Sequence, residues 1–123
     1  MSASSRATEL ALAAVTAASE KLATDLVALD VSEQLVITDV FVVCSAANDR
    51  QIHAVVDAIE EALLALQAKP LRREGQRDGR WVLLDFGEIV VHVQHSDERM
   101  YYGLERLWKD CPPLELPWHA RPA

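Results

Sequence analysis

Apolar residues change their spacing several times along the chain, and each change marks an element. Residues 6–28 are rich in Ala, Glu and Leu, and Leu12, Val15, Leu22 and Leu26 recur at helical spacing, which predicts a first amphipathic helix. Residues 29–31 and 35–45 are instead dense in β-branched side chains and read as two strands joined by a turn at Ser32, Glu33 and Gln34. Asn48 fits an N-cap whose side chain accepts from first-turn amides, and Gln51 completes a capping-box variant. The helix it starts carries Ile52, Val55, Val56, Ile59, Leu63 and Leu66 on one stripe, with Asp57, Glu60 and Glu61 opposite, and Pro70 ends it.

A short strand over 71–74 and a loop from Gly75 to Gly79 follow. Residues 81–86 and 89–95 then form two strands joined only by Gly87 and Glu88, where glycine in the first central position suits a type II′ hairpin. Ser96 can cap a last helix, with Asp97 and Glu98 at its positive end and Tyr101, Leu104, Leu107 and Trp108 at core-like spacing. Pro112, Pro113 and Pro117 predict an extended, loose tail. The expected fold is α+β: one domain over 1–111 and a tail over 112–123, in the order α-β-β-α-β-β-β-α. Helices should pack mainly on one face of a mixed sheet of about five strands.

The two-residue turn sets the hairpin register. Phe86 pairs with Ile89, Asp85 with Val90, Leu84 with Val91, Leu83 with His92, Val82 with Val93 and Trp81 with Gln94. Side chains alternate across a sheet, so one face collects Val82, Leu84, Phe86, Ile89, Val91 and Val93, all apolar, and belongs on the helices. The opposite face collects Trp81, Leu83, Asp85, Val90, His92 and Gln94. An aromatic and aliphatics among a carboxylate, an imidazole and an amide are the composition of an interface centre. Burying such a Trp removes about 150–250 Å² from water, worth up to a few kcal/mol at about 25 cal/mol/Å². A macromolecular partner, the first helix or the proline-rich tail could each cover this face.

Composition narrows the partners. The chain has 123 residues and a formal charge of −7, the wrong sign for nucleic-acid binding through counterion replacement and the right one for steering towards a basic protein. The local cluster of Lys69, Arg72, Arg73, Arg77 and Arg80 reads as a solvated strand edge and loop. No stretch approaches the roughly 20 apolar residues of a membrane span, and the N-terminus lacks the pattern of a signal peptide. Cys44 lies in an apolar run and Cys111 far from it, which fits a reducing, cytoplasmic setting.

Catalytic, metal and cofactor sites are not expected. His92 and His95 are three apart and point to opposite faces of a strand, so they cannot easily share an ion. Asp39 and Asp85 each stand alone, and the four glycines form no phosphate-binding loop. Ser45 and Cys44 have no base beside them in sequence, although one could arrive in space, so an enzyme stays open as the alternative.

Several stretches together resemble the ribosomal silencing factor family (Iojap-like proteins). They are Thr38-Asp39-Val40-Phe41-Val42-Val43-Cys44-Ser45 with Asn48-Asp49-Arg50-Gln51, Pro70-Leu71 with Glu74-Gly75, and Trp81-Val82-Leu83-Leu84-Asp85-Phe86-Gly87 with Val90-Val91-His92-Val93. Arg99, Tyr102, Leu104, Glu105, Leu107 and Trp108 look like the family's last helix. The resemblance spans about residues 8–109; Phe41 and Phe86 stand where tyrosine or another apolar residue is common, and the tail after Cys111 has no clear counterpart. It implies a nucleotidyltransferase-like topology without the catalytic Gly-Ser and paired carboxylates, which leaves a degenerate enzyme around Asp39 and Asp85 as the rival reading. It further implies a homodimer when free, and binding to the large ribosomal subunit through its fourteenth protein (uL14), blocking the small subunit and lowering translation when nutrients are scarce. On this reading Trp81 anchors the contact beside Leu83, Asp85 meets a basic group, and Val90 and His92 complete the patch. Arg99 and Tyr102 serve either as further contacts or as ties between the last helix and the sheet.

Overall fold

The densest β-branched run becomes the middle of the sheet. A computed structural model describes residues 3–77, 79–97 and 111–116. Its elements are α1 (Ser5–Glu20), β1 (Thr24–Asp30), β2 (Val40–Ala46), α2 (Asp49–Ala65), β3 (Arg72–Glu74), β4 (Trp81–Asp85) and β5 (Ile89–His95). The five strands lie in the order β1-β2-β5-β4-β3. β2 and β5 run parallel at the centre, with Val42 beside Val91 and Cys44 beside Val93, and every other pairing is antiparallel. Both central strands are buried on their two faces, with six of seven residues buried in each; β2 reads as a near-continuous apolar run, whereas β5 carries His92 and Gln94 on one face.

The hairpin register is as the turn required: Trp81 faces Gln94, Leu83 faces His92 and Asp85 faces Val90. Gly87 takes φ +90°, the left-handed conformation expected of the first turn residue. Val82, Leu84, Phe86, Ile89, Val91 and Val93 join Val40, Val42, Leu10, Val15, Ile52, Ile59 and Leu63 in one core on the helix side of the sheet.

The two helices are antiparallel and tied at both ends. Asn48 accepts from the Gln51 amide at 2.9 Å, and the Gln51 side chain accepts from Ala47 N–H at 2.7 Å. The side-chain Nε2 of Gln51 donates to the carbonyls of Lys21 and Leu22 at the end of α1. At the other end, Arg6 donates to the Leu66 carbonyl behind α2. Five buried alanines on α1 (Ala7, Ala11, Ala14, Ala17 and Ala18) let it lie close to its neighbours.

Three expectations change. The first helix stops at Glu20 rather than Ala28, because Leu22 turns left-handed (φ +65°) and Ala23 N–H reaches back to the Ala18 carbonyl. Leu22 is left 77% exposed, and Leu26 belongs to β1. The second strand starts at Val40 rather than Leu35: Val31 N–H bonds to the Asp39 carbonyl, Asp39 N–H bonds to Glu88, and the loop between carries Val36 and Ile37 out into water. The tail is not loose over 111–116. Asp30 N–H donates to the Pro112 carbonyl at 2.8 Å and Leu114 N–H to the Ala28 carbonyl at 2.7 Å, with Cys111 and Leu116 buried.

The amino end is held as well. Ala3 N–H donates to Asp30 and Ser4 N–H to Asp39. Burial pushes the Asp30 carboxyl up, but the hydrogen bonds from Ser32 and Ala3 outweigh it and hold the group below the ordinary carboxylate value. The expected last helix, with Arg99 and Tyr102, falls mostly on residues 98–110, outside the described residues. Ser96, read as its cap, donates its hydroxyl to the Ala46 carbonyl.

Candidate functional surface

Strand alternation turns Trp81, Leu83 and Asp85 of β4 away from the helices. All three are half-buried. Arg72 and Glu74 on β3 lie across from Asp85 and Leu83 and continue the same face to the sheet edge. Arg72 pairs with Glu74 at 3.0 Å and approaches Asp85 at 3.8 Å. Asp85 also accepts from Gly87 N–H at 2.9 Å. It is therefore already engaged within the chain, and a basic partner would have to compete with Arg72 for it.

The β5 side of the face is more enclosed than the alternating pattern suggested. Val90, His92 and Gln94 are buried, at 8%, 5% and 0% exposure. Val90 and His92 therefore offer little surface for direct contact, and the accessible patch contracts towards β4 and β3. His92 has a different task. Its Nδ1 accepts the Trp81 indole N–H at 3.2 Å, and its ring stacks obliquely on Phe41, with centroids 5.1 Å apart.

Burial lowers the His92 pKa to about 4, so at neutral pH the ring is uncharged. Because Nδ1 accepts, the ring proton sits on Nε2, which is buried and finds no hydrogen-bond partner among the described residues. The Gln94 amide is buried with neither polar end paired among those residues. Such groups cost about 1–3 kcal/mol each when left unmade.

The loop before β4 completes the placement of Trp81. Gly75 takes φ +83°, and a Cβ there would lie 1.9 Å from the Trp81 carbonyl oxygen. Only glycine allows the backbone of Gly75 to pass so close to Trp81.

The carboxylates considered for catalysis are each engaged within the chain. Asp39 is used by Ser4 and Asp85 by Gly87 and Arg72. His92 lies in the sheet face, whereas His95 lines a shallow depression with Asn48, Asp49 and Arg50 at the start of α2. Phe41 and Gly75 were not singled out by sequence reasoning as site residues. The contact of Phe41 with His92 depends on the parallel pairing of β2 with β5, which no local signal announces. Gly75 did carry a signal, as a glycine at the start of a loop.

Fold and surface together define an α+β protein with a five-stranded mixed sheet that turns Trp81, Leu83 and Asp85 away from its helices. The profile of the family described as "Ribosomal silencing factor during starvation" matches residues 4–122. It runs through the tail, where no family counterpart was expected. The chain is 40% identical to the ribosomal silencing factor RsfS of Halalkalibacterium halodurans over 88% of its length and 92% of that protein. It is 39% identical to the Bacillus subtilis protein of the same name over 84% of its length and 87% of that protein. A crystal structure of a Bacillus halodurans protein superposes with a TM-score of 0.77 at 38% identity, covering 89% of this chain and 99% of that one. One from Chromobacterium violaceum gives 0.79 at 29% identity, covering 83% and 85%. The chain belongs to the ribosomal silencing factor family.

Proposed function

We propose that the chain represses translation by binding the large ribosomal subunit through its fourteenth protein (uL14) and occupying space that the small subunit needs. Trp81 is the main anchor, with Leu83 beside it, and the Arg72, Glu74 and Asp85 group supplies the polar rim. The observation that carries this reading is the indole of Trp81: half-buried and turned away from the helices, it donates its N–H to a buried imidazole. Preorganised aromatic anchors of this kind dominate binding energy at interfaces. The net charge of −7 supports an encounter with a basic ribosomal protein. The protein acts in the cytoplasm, forms a homodimer when free, and works without catalysis or a cofactor. Among the described residues no helix is long and apolar enough to cross a membrane.

Gradient profiles of purified subunits, with and without the protein, test this directly. The protein should sediment with the large subunit and reduce the joined particle. Trp81→Ala should weaken that co-sedimentation at least about tenfold, or about 1.4 kcal/mol, with the protein still folded and its midpoint lowered only by the loss of the His92 hydrogen bond. Binding that survives Trp81→Ala while the melting temperature collapses would show that the indole serves the fold instead.

A further inference from the structure

The outer edge of β1 is met by the chain's own residues 111–116. Residues 111–116 run antiparallel to β1, with Leu29 opposite Pro113. The two hydrogen bonds come from Asp30 N–H to Pro112 and from Leu114 N–H to Ala28. Side chains alternate as a strand requires: Cys111 packs with Leu29 and Val31 on the outer face, while Leu114 and Leu116 pack into the core on the helix side. Leu116 is 1% exposed.

In this register residues 112 and 114 address β1, so the backbone of Pro113 points the other way, away from the sheet. Proline has no N–H, so the position from which a further strand would take its hydrogen bond offers no donor. Exposed sheet edges are templates for pairing with other chains, and proline on the edge is one way of closing them.

We propose that residues 111–116 are an edge cap supplied in cis. They occupy β1 as a sixth strand, and Pro113 ends the sheet there, closing that edge to strands from other molecules. Two substitutions in the 123-residue chain separate the parts of this proposal. Leu116→Ser removes the buried anchor, and exchange of the Asp30 and Leu114 amides should rise at least about tenfold, while amides of Val42 and Val91 in the central strands keep their protection. Sedimentation velocity should then show larger species than the parent forms at equal concentration. Pro113→Val keeps both hydrogen bonds and supplies the missing outward donor, so it should raise association without a marked fall in melting temperature. Faster exchange in Leu116→Ser with the parent's association state overturns the edge-cap role. If Leu116→Ser does not fold, Pro113→Val decides alone: association above the parent supports the proposal, and association equal to it overturns it.

Discussion

Trp81 donates its indole N–H to Nδ1 of His92 across 3.2 Å, a diagonal contact, since Trp81 itself lies opposite Gln94 and His92 lies opposite Leu83. The half-buried indole thus depends on a buried neutral imidazole. The orientation of the indole should therefore respond to anything that charges or removes that ring.

Acid is one such agent. His92 has an ordinary value of 6.5 in the unfolded chain and about 4 in the folded one, so below 6.5 the unfolded state binds a proton that the native state refuses. The native state is therefore undisturbed by this group above pH 6.5 and loses stability as the pH falls from 6.5 to about 4. At about 1.4 kcal/mol per unit the loss amounts to about 3 kcal/mol. Urea melts between pH 7.5 and 4.5 should show this slope in the parent and a shallower one in His92→Gln. Equal slopes in the two proteins would remove His92 as the cause.

Gly75 should be intolerant of any side chain. Ala there meets the Trp81 carbonyl at 1.9 Å and also strains a backbone at φ +83°. Gly75→Ala is expected to cost about 2 kcal/mol or more. It should also displace Trp81, so the indole fluorescence of the folded variant should shift. A variant with the parent's stability and spectrum would mean that the loop has room to move.

Leu22 invites the reverse change. It ends α1 in the left-handed conformation with its side chain 77% exposed, where helices usually place glycine. Relief of about 1–2 kcal/mol of backbone strain, set against glycine's greater freedom when unfolded, leaves Leu22→Gly about 0.5–1 kcal/mol more stable. Thermal and urea melts read this directly, and a lower midpoint would contradict it.

Gln51 joins the start of α2 to the end of α1 through two hydrogen bonds from its Nε2, and its Oε1 holds Ala47 N–H just before α2. Gln51→Ala should cost about 1–2 kcal/mol, at the upper end for a capping residue, because the carbonyls of Lys21 and Leu22 lose a partner too. A loss below about 0.5 kcal/mol in chemical denaturation would show that water replaces the amide freely.

Local rules made the hairpin and α2 legible. Gly87 and Glu88 leave only one register for strands of this alternation, and Asn48 with Gln51 marks the start of α2 through groups a few residues apart. The same local rules misplaced the end of α1. Leu22 and Leu26 keep a helical spacing with no glycine or proline to interrupt it, and the turn at Leu22 is made by backbone bonds back to Ser19 and Ala18. They also ran β2 too far towards its start, because the density of β-branched residues over 35–39 says nothing about the bonds of the loop to Val31 and Glu88.

Sequence alone determined which residues form the core face of the hairpin and that its other face carries Trp81, because alternation and a two-residue turn act within a few residues of each other. Tertiary structure decided what becomes of that other face. Placing β5 beside β2 sets Phe41 against His92, buries Val90, His92 and Gln94, and concentrates the accessible surface on β4 and β3. It also docks a tail that proline content alone marked as loose, since the partners of Pro112 and Leu114 lie more than eighty residues earlier on β1. Pairings over such separations depend on strand order and edge exposure, which exist only once the sheet has assembled.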